Sequence, residues 1–147
     1  LRLTREKTPT IYSHSEEFLI GGSKIVKSSD NDKAVIVTAG ITLHESIKAY
    51  EQLKQDGIPI AIIDAYSVKP LDKKTIEQYA RRTGHVIVVE DHYPHGGLGD
   101  AVHRALDGLN VRFTHLAVNK IPRSGQPEEL LHFEEIDAAA ILRSING

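Results

Sequence analysis

Residues 34–64 read AVIVTAGITLHESIKAYEQLKQDGIPIAIID, and this stretch sets the fold class. Ala34 to Ala39 is strand-like, and its unbroken apolar run Ala34-Val35-Ile36-Val37 suits a strand buried on both faces and is too short for a helix. Thr42-x-x-Glu45 then predicts a capping box, in which the two side chains satisfy free N–H groups in the first turn of a helix. Leu43, Ile47, Tyr50 and Leu53 share one helical face, and Gly57 supplies a left-handed stop. Ile58 to Asp64 is the next strand. Strand, amphipathic helix, strand is the unit of a parallel sheet covered on both faces.

The same rhythm continues downstream. Asp72 to Arg82 is predicted helical, with Ile76 and Tyr79 inward and Gly84 beyond it. His85 to Val89 is a third parallel strand. Leu98 to Leu109 carries an apolar stripe of Val102, Ala105, Leu106 and Leu109, and Val111 to Val118 is the last strand. A short turn near Pro127 and a helix from Asp137 to Ile145 complete the reading. Upstream, Ser23 to Lys27 forms a short strand, and the polar turn Ser28 to Asp32 predicts a hairpin with Ala34 to Ala39. Residues 1–16 read as an extended lead-in from a preceding domain, and 17–147 as one α/β domain.

Composition narrows the partners. The 147 residues include no Cys, which excludes a disulfide scaffold and a Cys-based metal site. Eighteen basic and twenty acidic residues give a net charge of −2 with no long block of one sign. Neither nucleic acid nor a membrane surface has an electrostatic footprint here, and the chain is expected to be cytoplasmic. The absence of Met and the opening Leu1-Arg2-Leu3 lead us to expect one domain of a longer protein, incomplete as a catalyst.

In an open parallel sheet, ligands lie beyond the carboxyl ends of the strands. Ala39-Gly40, Asp64 to Ser67, Glu90 to Gly99 and Asn119 to Gly125 should meet there. Glu90-Asp91-His92-Tyr93-Pro94-His95-Gly96-Gly97-Leu98-Gly99-Asp100 is the densest in chemistry. Glycines at a helix start allow close approach of an anion. Glu90, His92, His95, Gly96, Gly97 and Gly99 therefore form a candidate anion or interface loop, although the same turn reads more readily as a packing element. Asp100 would oppose an anion. His92-x-x-His95 has metal-like spacing, but Pro94 and the glycines disfavour a helix presenting both rings. Arg123 and Ser124, before Pro127 and Glu128-Glu129, are a second anion candidate with a structural alternative.

Several segments in order resemble the end of a transketolase. They are Leu1-Arg2-Leu3-Thr4-Arg5, Gly40-Ile41-Thr42-Leu43-His44-Glu45-Ser46, and Ser67-Val68-Lys69-Pro70-Leu71-Asp72. Val89-Glu90-Asp91-His92-Tyr93 with Gly96-Gly97-Leu98-Gly99 follows, then His115-Leu116-Ala117-Val118-Asn119 and Pro122-Arg123-Ser124-Gly125. The resemblance covers essentially the whole chain. It implies a three-layer α/β/α sandwich around a five-stranded mixed sheet with one antiparallel strand. It also implies transfer of a two-carbon ketol unit between sugar phosphates by a full-length homodimer. That enzyme would use thiamine diphosphate with Mg2+ or Ca2+, bound by domains other than this one. No catalytic residue, metal ligand or cofactor contact is then expected here, and the fragment would be inactive alone, with a structural and dimer-supporting role. Thr4-Arg5 resembles the family position whose Arg binds the substrate phosphate, although Glu6 stands where a Pro is usual.

Other readings remain open from the sequence. One is a separate small-anion or nucleotide-binding regulatory module using the glycine turn. A second is an interaction subunit paired with a catalytic chain. A third is the carboxy-terminal domain of a deoxyxylulose-phosphate synthase or a 2-oxo acid dehydrogenase β subunit.

Overall fold

The computed structural model describes residues 7–121 and 123–147. Five strands appear in it: β1 (Lys24–Lys27), β2 (Val35–Thr38), β3 (Ala61–Asp64), β4 (His85–Val89) and β5 (Arg112–Leu116). The helices are α1 (Ile41–Gln55), α2 (Lys73–Thr83), α3 (Leu98–Ala105), α4 (Pro127–Phe133) and α5 (Ala138–Asn146). The sheet order is β1-β3-β2-β4-β5, parallel except for β1, which runs antiparallel to β3. The expected mixed sheet and the α/β/α layering are both present.

Period-two alternation in the strands divides the core. Val35, Val37, Ala61, Ile63, Val86 and Val88 face one way and pack with Ile76 and Tyr79 of α2 and Val102 of α3. Ile36, Ile62, Ile87 and Val89 face the other way, against Leu43 and Leu53 of α1 and Ile141 of α5. Every residue of β2 and β3 is buried, as two-sided cover requires.

The expected hairpin does not form. β1 pairs with β3, with Lys24 opposite Asp64, and β3 lies between β1 and β2. The fully buried β2 needs strands on both sides, and the half-exposed β1 suits an edge. The polar stretch Ser28 to Asp32 does turn, at Asp30-Asn31, but the strands on either side of it do not pair. Asp32 accepts hydrogen bonds from the Ser29 N–H and hydroxyl, and from Arg82 of α2 at 2.5 Å.

Nor does the capping box form. Helix α1 starts at Ile41, with Gly40 at its cap position and no side-chain cap bond. Thr42 turns into the sheet instead, and Glu45 reaches across to accept the Ala138 N–H at the start of α5 at 3.0 Å. Tertiary partners outcompete the local motif. At Pro127, which suits a first helical position with Glu128-Glu129 in the first turn, the short turn expected is a helix: α4 runs for two turns, opened by reciprocal Gln126 and Glu129 bonds.

Part of the lead-in lies on the domain. Ile11 packs on the α1/α5 side of the core. Tyr12 donates its hydroxyl to Asp64 Oδ2 at 2.8 Å, and Phe18 stands edge-on between the rings of Tyr12 and Tyr66. Burial pushes the Asp64 carboxyl above its ordinary 3.8, against the opposing effect of the Tyr12 bond. An acid raised in this way stabilises the fold fully below its unfolded-state value and progressively less as pH climbs through the folded one. The stability of the native chain relative to Asp64→Asn should therefore be greater at about pH 4 than at about pH 7. Urea unfolding of both proteins at the two pH values measures this, and a flat or inverted difference rejects the buried-acid reading.

Candidate functional site

The four expected segments do converge on the carboxyl edge of the sheet. The chain moves outward from β2 to β3 and then back past β2 to β4, so the topological switch point lies between β2 and β4. Thr42 occupies that crevice. Its Oγ1 lies 2.7 Å from Thr38 Oγ1, 3.0 Å from the Ala39 carbonyl and 2.9 Å from the Val89 carbonyl.

Glu90 comes next along β4 and continues the face of Val86 and Val88, which directs it toward α3. It is 5% exposed. Its Oε2 accepts the Leu98 N–H at 2.6 Å, and its Oε1 accepts the Gly99 N–H at 2.9 Å. His115 Nε2, from β5, lies 2.7 Å from the same Oε1. The first N–H groups of a helix have no partner within it and carry a partial positive charge. A phosphate or carboxylate ligand would be drawn to that place, and here the chain's own carboxyl fills it.

The glycines follow from this arrangement. A Cβ on Gly97 would collide with the Glu90 carboxyl and the His92 ring, and one on Gly99 would collide with the His115 ring. Gly96 is required for a different reason, a left-handed φ of 77°. Its N–H donates to Asp100 Oδ2 at 2.8 Å. That bond holds the Asp100 carboxyl below its usual value, so Asp100 closes the turn from within.

The two histidines of the motif part ways. His92 Nδ1 lies 2.8 Å from the Tyr93 carbonyl, and His95 is exposed. Among the described residues, no group of three His, Cys, Asp or Glu side chains is arranged to hold a metal ion. The glycine-turn and Asn119 to Gly125 segments face each other across a cleft of about 380 Å³ lined by His92, Tyr93, Val118, Arg123, Leu130 and Glu134. The Val118 N–H donates to the His92 carbonyl at 3.0 Å, and the Arg123 guanidinium lies 3.2 Å over the Phe133 ring centre. Arg5, the one residue assigned a phosphate role by resemblance, lies outside the described residues, as do Thr4, Glu6 and Pro122.

Sequence reading missed the part played by His115. The signal was strand parity: His115 pairs with Val88 in register, so it shares the face on which Glu90 must lie. A carboxyl and an imidazole at adjoining strand ends, both beside a Gly-x-Gly helix start, make an internally satisfied cluster the first thing to test.

The family model for the transketolase C-terminal domain matches residues 23–141. Transketolase of Homo sapiens is 44% identical over 149 residues, covering 100% of this chain and 24% of the relative. Transketolase-like protein 2 of Mus musculus is 45% identical over 147 residues, covering 99% of this chain and 23% of that protein. Among solved structures, a split-gene transketolase described as an inactive β4 tetramer superposes with a TM-score of 0.89. It shares 28% identity, with 97% of this chain and 46% of that one covered. The chain thus spans about a quarter of the length of these full-length relatives.

Gly99→Ala should destabilise the fold by about 1–3 kcal/mol, because its methyl group needs the space of the imidazole. His115→Ala in the same chain should relieve that collision, so the double variant loses less than the two single losses added together. Denaturant unfolding of the four proteins reads this, and strict additivity would show that Gly99 and His115 do not constrain each other.

Proposed function

Because the chain belongs to the transketolase family and matches its carboxy-terminal domain, we propose that it serves a larger enzyme that moves a two-carbon ketol unit from a ketose phosphate to an aldose phosphate. The observation that carries this reading is the match to the C-terminal domain model over residues 23–141 of a chain related along its whole length to transketolases. In this reading residues 1–16 connect the domain to the one before it, the working enzyme is a cytoplasmic homodimer, and the chain alone has no activity. No helix among the described residues is long and apolar enough to cross a membrane.

Thiamine diphosphate with Mg2+ or Ca2+ is the cofactor this reading requires, and when bound it supplies the nucleophile and electron sink for carbanion chemistry. The described residues do not fit that group. They offer no metal-ligand cluster, and the N–H groups at the glycine turn are taken by Glu90. In this reading the cofactor is held by the part of the enzyme outside this chain. What the present residues contribute is a rigid support, with Glu90 joining β4, α3 and β5 and the lead-in bound down through Tyr12 and Ile11. At the far end of that lead-in, Arg5 would bind the substrate phosphate through its planar fork of donors.

Ketol transfer should be absent from residues 1–147 supplied with thiamine diphosphate and Mg2+, and present in the longer protein from the same gene. In that longer enzyme, Arg5→Ala should raise KM for phosphorylated substrates by the equivalent of about 1.5–3 kcal/mol and leave unphosphorylated ones nearly unchanged. Steady-state kinetics on matched substrate pairs decides it: turnover by residues 1–147 removes the supporting-domain reading, and equal loss on both substrates removes the phosphate role.

A further inference from the structure

Seven large hydrophobic side chains stand out as exposed among the described residues, and six of them share one edge of the sheet. Phe18, Leu19 and Ile20 precede β1, whose amino end lies beside the carboxyl end of β3. Two bonds tie that turn to the segment after β3: the Gly21 N–H donates to Ser67 Oγ at 2.9 Å, and the Tyr66 hydroxyl donates to the Leu19 carbonyl at 3.1 Å. Val68 follows on the same side. At the other end of the edge, Tyr93 comes after β4 and Ile121 after β5. Ile20 and Ile121 are each 89% exposed and Leu19 is 71% exposed. Only Ile25, within β1, lies elsewhere.

Single exposed hydrophobics mean little, but a row confined to one edge marks a contact surface. Its width selects the occupant. Four strand spacings of about 4.8 Å separate β1 from β5, so the two apolar groups stand roughly 20 Å apart. A small ligand cannot cover both, whereas one face of a protein domain can. The edge also lacks the polar welcome a small anion would need at its centre, since Thr42 and Glu90 fill the crevice and the α3 helix start.

We infer that this carboxyl edge is the docking face for the polypeptide that precedes the domain in the full-length enzyme. The inference rests on the reading that the chain is one domain of a transketolase. Two observations choose this occupant over a second copy of the chain. The lead-in already lies on this edge, with Tyr12 bonded to Asp64 at the end of β3, so the preceding polypeptide approaches from here. The relatives carry about three-quarters of their length outside the matched region, ample for a domain-sized face.

Site-specific alkylation of the full-length enzyme tests this. Ile20→Cys and Ile121→Cys report on the edge, and Asn110→Cys and Lys33→Cys, exposed at the opposite edge, serve as controls. With a maleimide and peptide-resolved mass spectrometry, the two edge positions should react at least about tenfold more slowly than the controls, because they react only on local opening. The protection should survive dilution of the dimer to monomers. Equal rates at all four positions overturn the inference, and protection lost on dilution assigns the face to a second subunit and overturns the intrachain occupant. Ketol-transfer assays on the same samples keep the two readings apart. An active enzyme with reactive edge positions defeats only the docking face, whereas a full-length protein without ketol transfer defeats the functional reading.

Discussion

At the end of β4 the Glu90 carboxyl is taken out of water, and an isolated buried carboxylate would be costly. Two backbone N–H groups of α3 and the His115 imidazole supply the missing solvation. Much of the local structure depends on that arrangement. The carboxyl approaches the helix so closely that residue 97 has no room for a side chain. The imidazole that meets it from β5 imposes the same condition on residue 99. The buried acid and its imidazole partner together dictate a Gly-x-Gly spacing, fix where α3 begins and lock β5 to β4 beyond their backbone ladder.

The same device recurs around the domain. Asp72 accepts the Thr75 N–H at the start of α2, and burial of that carboxyl is outweighed by its bonds to Ser23 and Thr75, which hold it below its ordinary value. Asp137 and Glu45 together receive the Ala140 and Ala138 N–H groups at the start of α5. Helix starts that an external anion would favour are thus satisfied by the chain's own acids, each tying a helix to another element or to its own first turn. Helix α1, by contrast, begins at Gly40 without a side-chain cap bond.

This explains which parts of the molecule were legible in the sequence. Apolar runs such as Val86 to Val89 and stripes such as Val102, Ala105 and Leu106 report burial directly, so the layers and the strand–helix alternation could be read from them. Pairing order is not a local property. The segment from Ser28 to Asp32 does turn, with Asp32 bonded to Ser29 as well as to Arg82, yet β3 enters between β1 and β2. Thr42 and Glu45 have the spacing of a capping box, but each found a partner far away in sequence, Val89 in one case and Ala138 in the other. The glycine turn carried two readings, an anion site and a packing element. Only the three-dimensional position of Glu90 shows that its N–H groups are taken from within.

A doubly wound sheet ordinarily opens its carboxyl edge to a ligand because the strands diverge there and helix starts point into the gap. Here the gap is closed at its centre by Thr42 and Glu90, while the ends of the same edge carry bare Leu19, Ile20 and Ile121. These two features belong together. An edge that must lie against protein gains nothing from unsatisfied N–H groups, which would be buried without water or ligand to bond them. Filling them from within makes the edge safe to cover, and the exposed side chains at either end then supply apolar area for the contact. On the docking inferred above, the geometry of a binding edge serves a neighbouring domain in place of a small molecule.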